Sequence, residues 1–323
     1  MLFLKPALKE TIWGGNRLRS DFKMETELKN IAEAWVLSCH EDGESIVSGG
    51  EYDGKSLSHV LEKEIGMKAL GTNCEGYDKI EDFPILIKLI DADDRLSVQV
   101  HPDDEYAAAN EKDVRGKTEA WYIIDCDADA ELIYGFNDDL TKEEFREAIE
   151  NGTLLDKVNR TKVKPGDVAF ISAGTLHAIG KGILLAEVQQ SCNTTYRVFD
   201  YNRTGLDGKP RELHVEKALD VTNTVPPTRN GDADSEPVIK GDATLQDLCS
   251  CEFFKMETID VNGNYSFEVN EESFVSLLVL NGSGVVTAGG TSLDVKAGDS
   301  VFIPANCGET VLNGEFKVLV STL

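Results

Sequence analysis

The sequence predicts a mainly β protein of two β-barrel or sandwich units with a few inserted α-helices. Three observations predict it. Short apolar or alternating runs bounded by Asp and Gly dominate the middle and the end of the chain. A stretch of turn formers and charge divides it in its last third, and a ten-residue pattern occurs once on each side of that divide.

Residues 84–90, 96–100 and 121–124 are β-branched or alternating and read as strands. Residues 57–64 form a candidate helix with Ser56 as its N-cap. Residues 141–149 form a second. Thr141-Lys142-Glu143-Glu144 has capping-box spacing, and Asn151-Gly152 closes the helix. The divide at 223–237 lacks periodicity and mixes Pro, Gly, Asn and Asp, as a linker does. It separates a first unit, 1–222, with a helical insertion near 141–158, from a second, 238–323, rich in short strands and Asn-Gly, Gly-Gly and Ala-Gly-Asp turns.

The repeated pattern is Val163-Lys-Pro-Gly-Asp-Val-Ala-Phe-Ile-Ser172 against Val295-Lys-Ala-Gly-Asp-Ser-Val-Phe-Ile-Pro304. Aligned at Asp167 and Asp299, Gly174 falls opposite Asn306 and His177 opposite Glu309. The two units are therefore related, and only the first keeps the histidine.

With 32 basic and 58 acidic residues among 323, the chain carries a formal charge of −26, which speaks against a nucleic-acid partner. It does not exclude an anionic substrate. Screening over about 8 Å at physiological salt leaves the local Arg and Lys residues to decide that. The opening Met1-Leu2-Phe3-Leu4-Lys5-Pro6 is too short for a signal peptide, and no apolar run approaches the length of a membrane span. Seven scattered cysteines without CxxC pairs read as free thiols, Cys249 and Cys251 as strand neighbours. A cytoplasmic protein is expected, with a monomer compatible with the sequence and the oligomeric state left open.

Five histidines occur, and two sit in contexts suited to metal binding. Gln99 and His101 share one strand face by the period of two. Glu119 opens the next strand run, and His177 follows Ser172-Ala-Gly-Thr-Leu. Strands about 4.8 Å apart can converge such side chains on one ion. Two imidazoles and a carboxylate suit a catalytic metal with an open position, and Gln99 offers a further oxygen. Each histidine taken singly reads as a hydrogen-bonded core residue; together the four favour a metal.

The spacing Gly166, Ser172-Ala-Gly174, His177 resembles the second cupin motif, with Ser172 where proline is common. Ser97-Val-Gln-Val-His101-Pro102, Gly116-Lys-Thr-Glu119, Ala173-Gly-Thr-Leu-His177-Ala and Thr194-Thr-Tyr-Arg197-Val-Phe-Asp-Tyr together resemble type I mannose-6-phosphate isomerases in their short bacterial form. The likeness extends to Trp13-Gly14-Gly15 and Ala32-Glu33-Ala34-Trp35. It implies two cupin-like units and one Zn2+ per chain held by His101, Glu119 and His177, with Gln99 as the fourth ligand. It further implies Arg197 as the active-site arginine and a substrate exchanged between mannose 6-phosphate and fructose 6-phosphate. The insertion found in long forms has only the 141–158 region to fill its place.

Aldose–ketose isomerisation moves a hydrogen between C1 and C2 through an enediolate. It needs a Lewis acid or fixed donors for two oxygens, and a proton shuttle. Lys117 can bind sugar hydroxyls or phosphate, or be an exposed turn lysine. Glu187 interrupts the apolar run 183–188 and is read as the general acid/base, or else as a buried ion pair with Arg197 or Lys117. Arg203, Lys88 and Ser97 are phosphate candidates, and Lys209-Pro210-Arg211 beside His214 reads as a solvated turn. Cys39 and His40 are adjacent and would face opposite sides of a strand, so they make no nucleophile pair. Competing readings are a non-catalytic sugar-phosphate binder and an Fe(II) oxygenase, since the same ligands suit iron. The second unit, without the histidine, is expected to buttress the first.

Overall fold

Period-two alternation decides how the layers stack. The computed structural model describes residues 1–77, 79–112, 115–227 and 233–323. Three open antiparallel sheets lie in layers, so the sandwich form of the expected architecture is the one observed, rather than closed barrels.

The middle layer is six-stranded, in the order Val168–Ile171, Glu119–Cys126, Ile183–Gln190, Ile85–Ala92, Glu33–Leu37, Ala7–Lys9. Its two central strands are buried throughout, which explains why 84–90 reads as a continuous apolar run. Cross-strand register puts Trp35, Lys88, Glu187 and Trp121 in one row, and Gln189 opposite Glu119 in the next. The other face carries a continuous apolar patch of Ala34, Ile87, Leu89, Ala120, Tyr122, Ala186 and Val188.

That apolar face packs on Leu248, Phe254, Phe274, Leu278, Phe302 and Leu319 of the third layer, a nine-stranded sheet formed mostly by the C-terminal unit. Two N-terminal strands join it: Leu2–Lys5 pairs with Ser300–Ile303, and Ile46–Val47 pairs with Leu2–Lys5. The first layer is five-stranded, in the order Tyr196–Phe199, Val98–Val100, His177–Ile179, Glu131–Phe136, Val158–Lys162. Its outer face carries Val98, Val100, Ile133, Ala178 and Val198, covered by the helices Lys142–Glu150 and Val215–Val221. Its inner face meets the polar side of the middle sheet.

The expected helix at 141–149 is found as Lys142–Glu150 with a complete Thr141–Glu144 capping box. Ser56 caps the other expected helix by accepting from the His59 N–H, but only Leu57–His59 is α-helical; Val60–Ile65 widens into a π turn. The helices Asp104–Asn110 and Val215–Val221 have no counterpart in the sequence reading. Both are short, and their apolar residues cover one turn each. No disulfide joins any of the seven cysteines among the described residues.

The repeated pattern folds the same way twice. Lys164 donates its backbone N–H to Asp167 Oδ2 at 2.9 Å, and Lys296 does so to Asp299 Oδ2 at 2.9 Å. Gly166 and Gly298 both take φ near +90°, at 94° and 90°. At the next turn Gly174 has φ 82° and its counterpart Asn306 φ 60°, a left-handed conformation that asparagine tolerates best among residues with a side chain. A Cβ on Gly174 would meet the Val221 carbonyl at 2.9 Å, so the first copy requires glycine. Of the expected linker 223–237, residues 228–232 lie outside the described residues. Its flanks are docked: Asn223 N–H donates to Gly174 O at 2.7 Å, and Asp234 N–H to Leu248 O at 3.2 Å.

Candidate metal centre and active site

The two polar faces meet around His101, Glu119 and His177. The five-stranded sheet supplies Gln99 and His177, which sit directly opposite each other, with His101 just beyond the end of the same strand as Gln99. The six-stranded sheet supplies Glu119 at the first position of its strand. One donor atom from each of His101, Glu119 and His177 lies within 4.8 Å of the others, and all three residues are buried. His177 Nε2 stands 3.3 Å from Glu119 Oε1, and His101 Nε2 3.7 Å from Glu119 Oε2.

Both imidazoles are oriented for a cation. His101 Nδ1 lies 2.9 Å from the Thr194 carbonyl and His177 Nδ1 2.8 Å from the Thr175 carbonyl. A carbonyl only accepts, so each Nδ1 carries the proton and each Nε2 turns a lone pair inward. Those lone pairs face the Lys117 ammonium, at 3.1 Å from His101, and the Gln99 amide nitrogen, at 3.4 Å from His177. Burial holds both imidazoles neutral. His101 is pushed well below its ordinary value, with Lys117 adding to the effect, and His177 is pushed to about 4. Glu119 Oε1 is buried and has no hydrogen-bond partner among the described residues, a costly arrangement unless a cation meets it. Burial, and then the charge of Glu187, lift the Glu119 carboxyl to about 7. The residues present therefore fit a divalent cation.

A buried row of alternating charge leads away from this group. Lys117 pairs with Glu119 and lies 3.9 Å from Glu187 Oε1. Glu187 Oε1 is 3.0 Å from Lys88 Nζ, and Lys88 in turn lies 3.9 Å from Glu33. Trp121 Nε1 donates to Glu187 Oε2 at 2.8 Å, and Trp35 Nε1 to Glu33 at 2.7 Å. Burial alone would raise the Glu187 carboxyl, but Lys117 and Lys88 pull it down to about 2. Glu187 is thus ion-paired as its alternative reading held. Its nearest cation is Lys88, a residue 99 positions away that faces it in register, and not Arg197.

Arg197 stands opposite Gln99 on the neighbouring strand. Its guanidinium donates to Ser97 Oγ at 3.3 Å and to the Glu212 carbonyl at 2.9 Å. Among the described residues no carboxylate lies within ion-pair distance of it, so the surface salt bridge considered from sequence does not occur.

The phosphate candidates are otherwise occupied. Lys88 is buried against Glu187, Ser97 is buried between Gln99 and Arg197, and Arg203 donates to Asp200, Asp94 and the Arg95 carbonyl. Arg211, read as part of a solvated turn, is fastened to Asp200 through Nε at 2.7 Å and through a second, shorter contact.

Comparison with known proteins follows this geometry closely. Residues 1–145 match the catalytic domain of type I phosphomannose isomerase, and residues 244–323 match the mannose-6-phosphate isomerase cupin domain. The mannose-6-phosphate isomerase ManA of Bacillus subtilis is 40% identical over 322 residues, covering 100% of this chain and 98% of the relative. The chain belongs to the type I phosphomannose isomerase family. A mannose-6-phosphate isomerase from Streptococcus mutans, 35% identical, covers 99% of this chain and 97% of its own length. The crystal structure of the Bacillus subtilis mannose 6-phosphate isomerase superposes with a TM-score of 0.90 at 36% identity, covering 100% of this chain and 99% of that one. The apo form from Salmonella typhimurium, at 18% identity and a TM-score of 0.74 over 99% and 98% of the two chains, shares the fold.

Within this phosphomannose isomerase family member, sequence reasoning missed three contributors: the cation facing Glu187, the Trp121 donor, and the segment holding Arg197. Lys88 stood in a strand whose pairing partner no local pattern reveals. Trp121 could have been found, because it lies two residues after Glu119 on the same face.

Proposed function

We propose that this enzyme interconverts mannose 6-phosphate and fructose 6-phosphate through an enediolate, with one Zn2+ per chain held by His101, Glu119 and His177. The observation that carries the reading is the buried, unpartnered Glu119 oxygen facing two inward imidazole lone pairs, with the Lys117 ammonium and Arg197 alongside. Gln99 completes the ligand set once its amide rotates to present oxygen. The zinc ion supplies Lewis-acid stabilisation to oxygens that gain charge during the reaction.

The chain's own groups do the rest. Arg197, without a carboxylate partner among the described residues, offers fixed donors to a developing oxyanion and keeps its charge throughout. Lys117, held protonated by Glu119 and Glu187, donates to a sugar oxygen. Glu187 is the proposed acid/base. A carboxylate held near 2 is a poor base at neutral pH. Its role therefore requires Lys117 or Lys88 to turn from it to a substrate oxygen, which frees the carboxylate and raises its proton affinity. The two sheets enclose the site and limit water, which protects the enediolate from stray protonation. Seven cysteines with no disulfide between them among the described residues suit a reducing, cytosolic setting.

The test is fructose 6-phosphate formation by protein stripped with chelator and reloaded with single metals. Turnover restored by Zn2+ supports the proposal, and a zinc-loaded protein that leaves mannose 6-phosphate unchanged refutes it. Arg197→Ala should retain full zinc stoichiometry while kcat falls about 100- to 1000-fold, as for the loss of an oxyanion donor. Retained kcat would remove Arg197 from the chemistry.

A further inference from the structure

Arg197 is gripped by one short segment at three points. Its Nη1 donates to the Glu212 carbonyl at 2.9 Å, its backbone carbonyl accepts from the His214 N–H at 2.8 Å, and its backbone N–H donates to His214 Nδ1 at 3.2 Å. The segment is anchored on both sides. Arg211 is tied to Asp200, and His214 leads into the helix Val215–Val221, whose Ala218 and Leu219 are buried.

The third contact dictates a protonation state. A backbone N–H only donates, so His214 Nδ1 must be an acceptor, and the imidazole is neutral with its proton on Nε2. A second proton would set N–H against N–H and place a positive ring beside the guanidinium. We propose that His214 is a positioning residue for Arg197: its neutral form aims the arginine at the site, and its protonation loosens the arginine and slows turnover below neutral pH. The proposal rests on the reading of Arg197 as an active-site group.

The surroundings bear on the direction. His214 is half-buried and faces Arg197 on the strand Tyr196–Phe199, Glu212 on its own segment, Lys217 on the following helix and Glu111 after the helix Asp104–Asn110. The Tyr196 ring lies 6.3 Å away between centroids. Burial, then Arg197, press the imidazole below its ordinary value, with Lys217 adding to this while Glu212 and Glu111 oppose it. The neutral, gripping form therefore prevails at neutral pH, and the loss falls below the usual histidine range of about 6.5.

The experiment measures kcat against pH at saturating mannose 6-phosphate for zinc-loaded wild type, His214→Asn and His214→Leu. An asparagine Oδ1 can accept the same N–H but does not titrate; leucine offers no acceptor. We expect His214→Asn to keep most of the neutral-pH kcat and to lose the part of the acid fall that His214 causes. His214→Leu should lose about 10- to 100-fold at neutral pH, the scale of a misplaced catalytic group, with the gap from wild type narrowing as the wild-type imidazole protonates. The substrate phosphate, titrating near about 6, is common to all three proteins, so differences between profiles isolate the imidazole. Zinc content read at each pH keeps metal loss separate.

NMR provides a readout independent of turnover: the Arg197 amide shift should follow the His214 ring titration. An unchanged acid limb in His214→Asn, or an Arg197 amide that ignores the ring, overturns the proposal. An amide that tracks the ring in a protein that never turns over substrate supports the grip and refutes the isomerase reading instead.

Discussion

Lys88→Met tests how the buried charge row is held together. Lys88 and Glu187 have side-chain exposures of 6% and 4%, with 3.0 Å between Nζ and Oε1. Glu187 sits at about 2 in the folded protein. Against about 4.3 for an unperturbed glutamate, the gap corresponds to about 3 kcal/mol favouring the charged carboxylate. A carboxylate depressed on folding contributes that stability above about pH 4.3 and loses it as pH falls toward about 2. Removing the lysine leaves a buried carboxylate with one indole N–H and a more distant Lys117, so the cost should be about 3–5 kcal/mol. The assay is urea unfolding at pH 7 in chelator, which keeps metal linkage out of the comparison. Lys88→Met/Glu187→Gln should recover much of the loss, because it removes the stranded charge, and the gap from wild type should narrow below about pH 4. A loss under about 1 kcal/mol, or a double variant no more stable than the single, would show that the row is not held by this pair.

Three further outcomes are expected. His101→Ala or His177→Ala should abolish bound metal, read by elemental analysis, and turnover with it, while near-UV circular dichroism still reports a packed protein. Because burial and Glu187 hold the metal-free Glu119 carboxyl near about 7, cation binding should release close to one proton per chain at pH 6 and almost none at pH 8, read by calorimetry in buffers of different ionisation heat. Thr141→Ala should cost about 1 kcal/mol in unfolding free energy through loss of the capping box, with kcat unchanged.

Much of the candidate site was legible because strands obey parity. Gln99 and His101 could be placed on one face before any partner was known, and the Gly-Asp turns announced where His177 would emerge. Glu187 stood out as a charge in an apolar run. What stayed hidden depends on register between distant segments. The Glu187–Lys88 contact arises because Ile183–Gln190 pairs with Ile85–Ala92, and no local pattern specifies which strands become neighbours. The basic residues at 209–211 look solvated for the same reason, since the Asp200 that fastens Arg211 is brought back by a turn whose Tyr201 and Asn202 take the uncommon φ values of 54° and 56°. The joining of Leu2–Lys5 to the C-terminal sheet is the extreme case, a pairing almost 300 positions apart.

The acidity of the chain and the anionic substrate of the proposed reaction are reconciled at short range. Glu33, Glu187 and Glu119 face Lys88 and Lys117, so with neutral imidazoles and Glu119 ionised, as cation binding requires, the row carries one net negative charge. A divalent cation turns that into one net positive charge, and Arg197 beside it adds another. The sum is close in magnitude to the charge of a phosphate monoester, about −1.5 to −2 near neutrality. Counted the same way, with Arg197 included, the metal-free site sums to zero, so the cation supplies the net attraction for the substrate. Surface carboxylates beyond a Debye length of about 8 Å are largely screened from that balance. The apolar underside of the six-stranded sheet makes the arrangement tolerable: with the nine-stranded layer packed against it, every charged group of the row is displayed on one face, where each finds a partner of opposite sign.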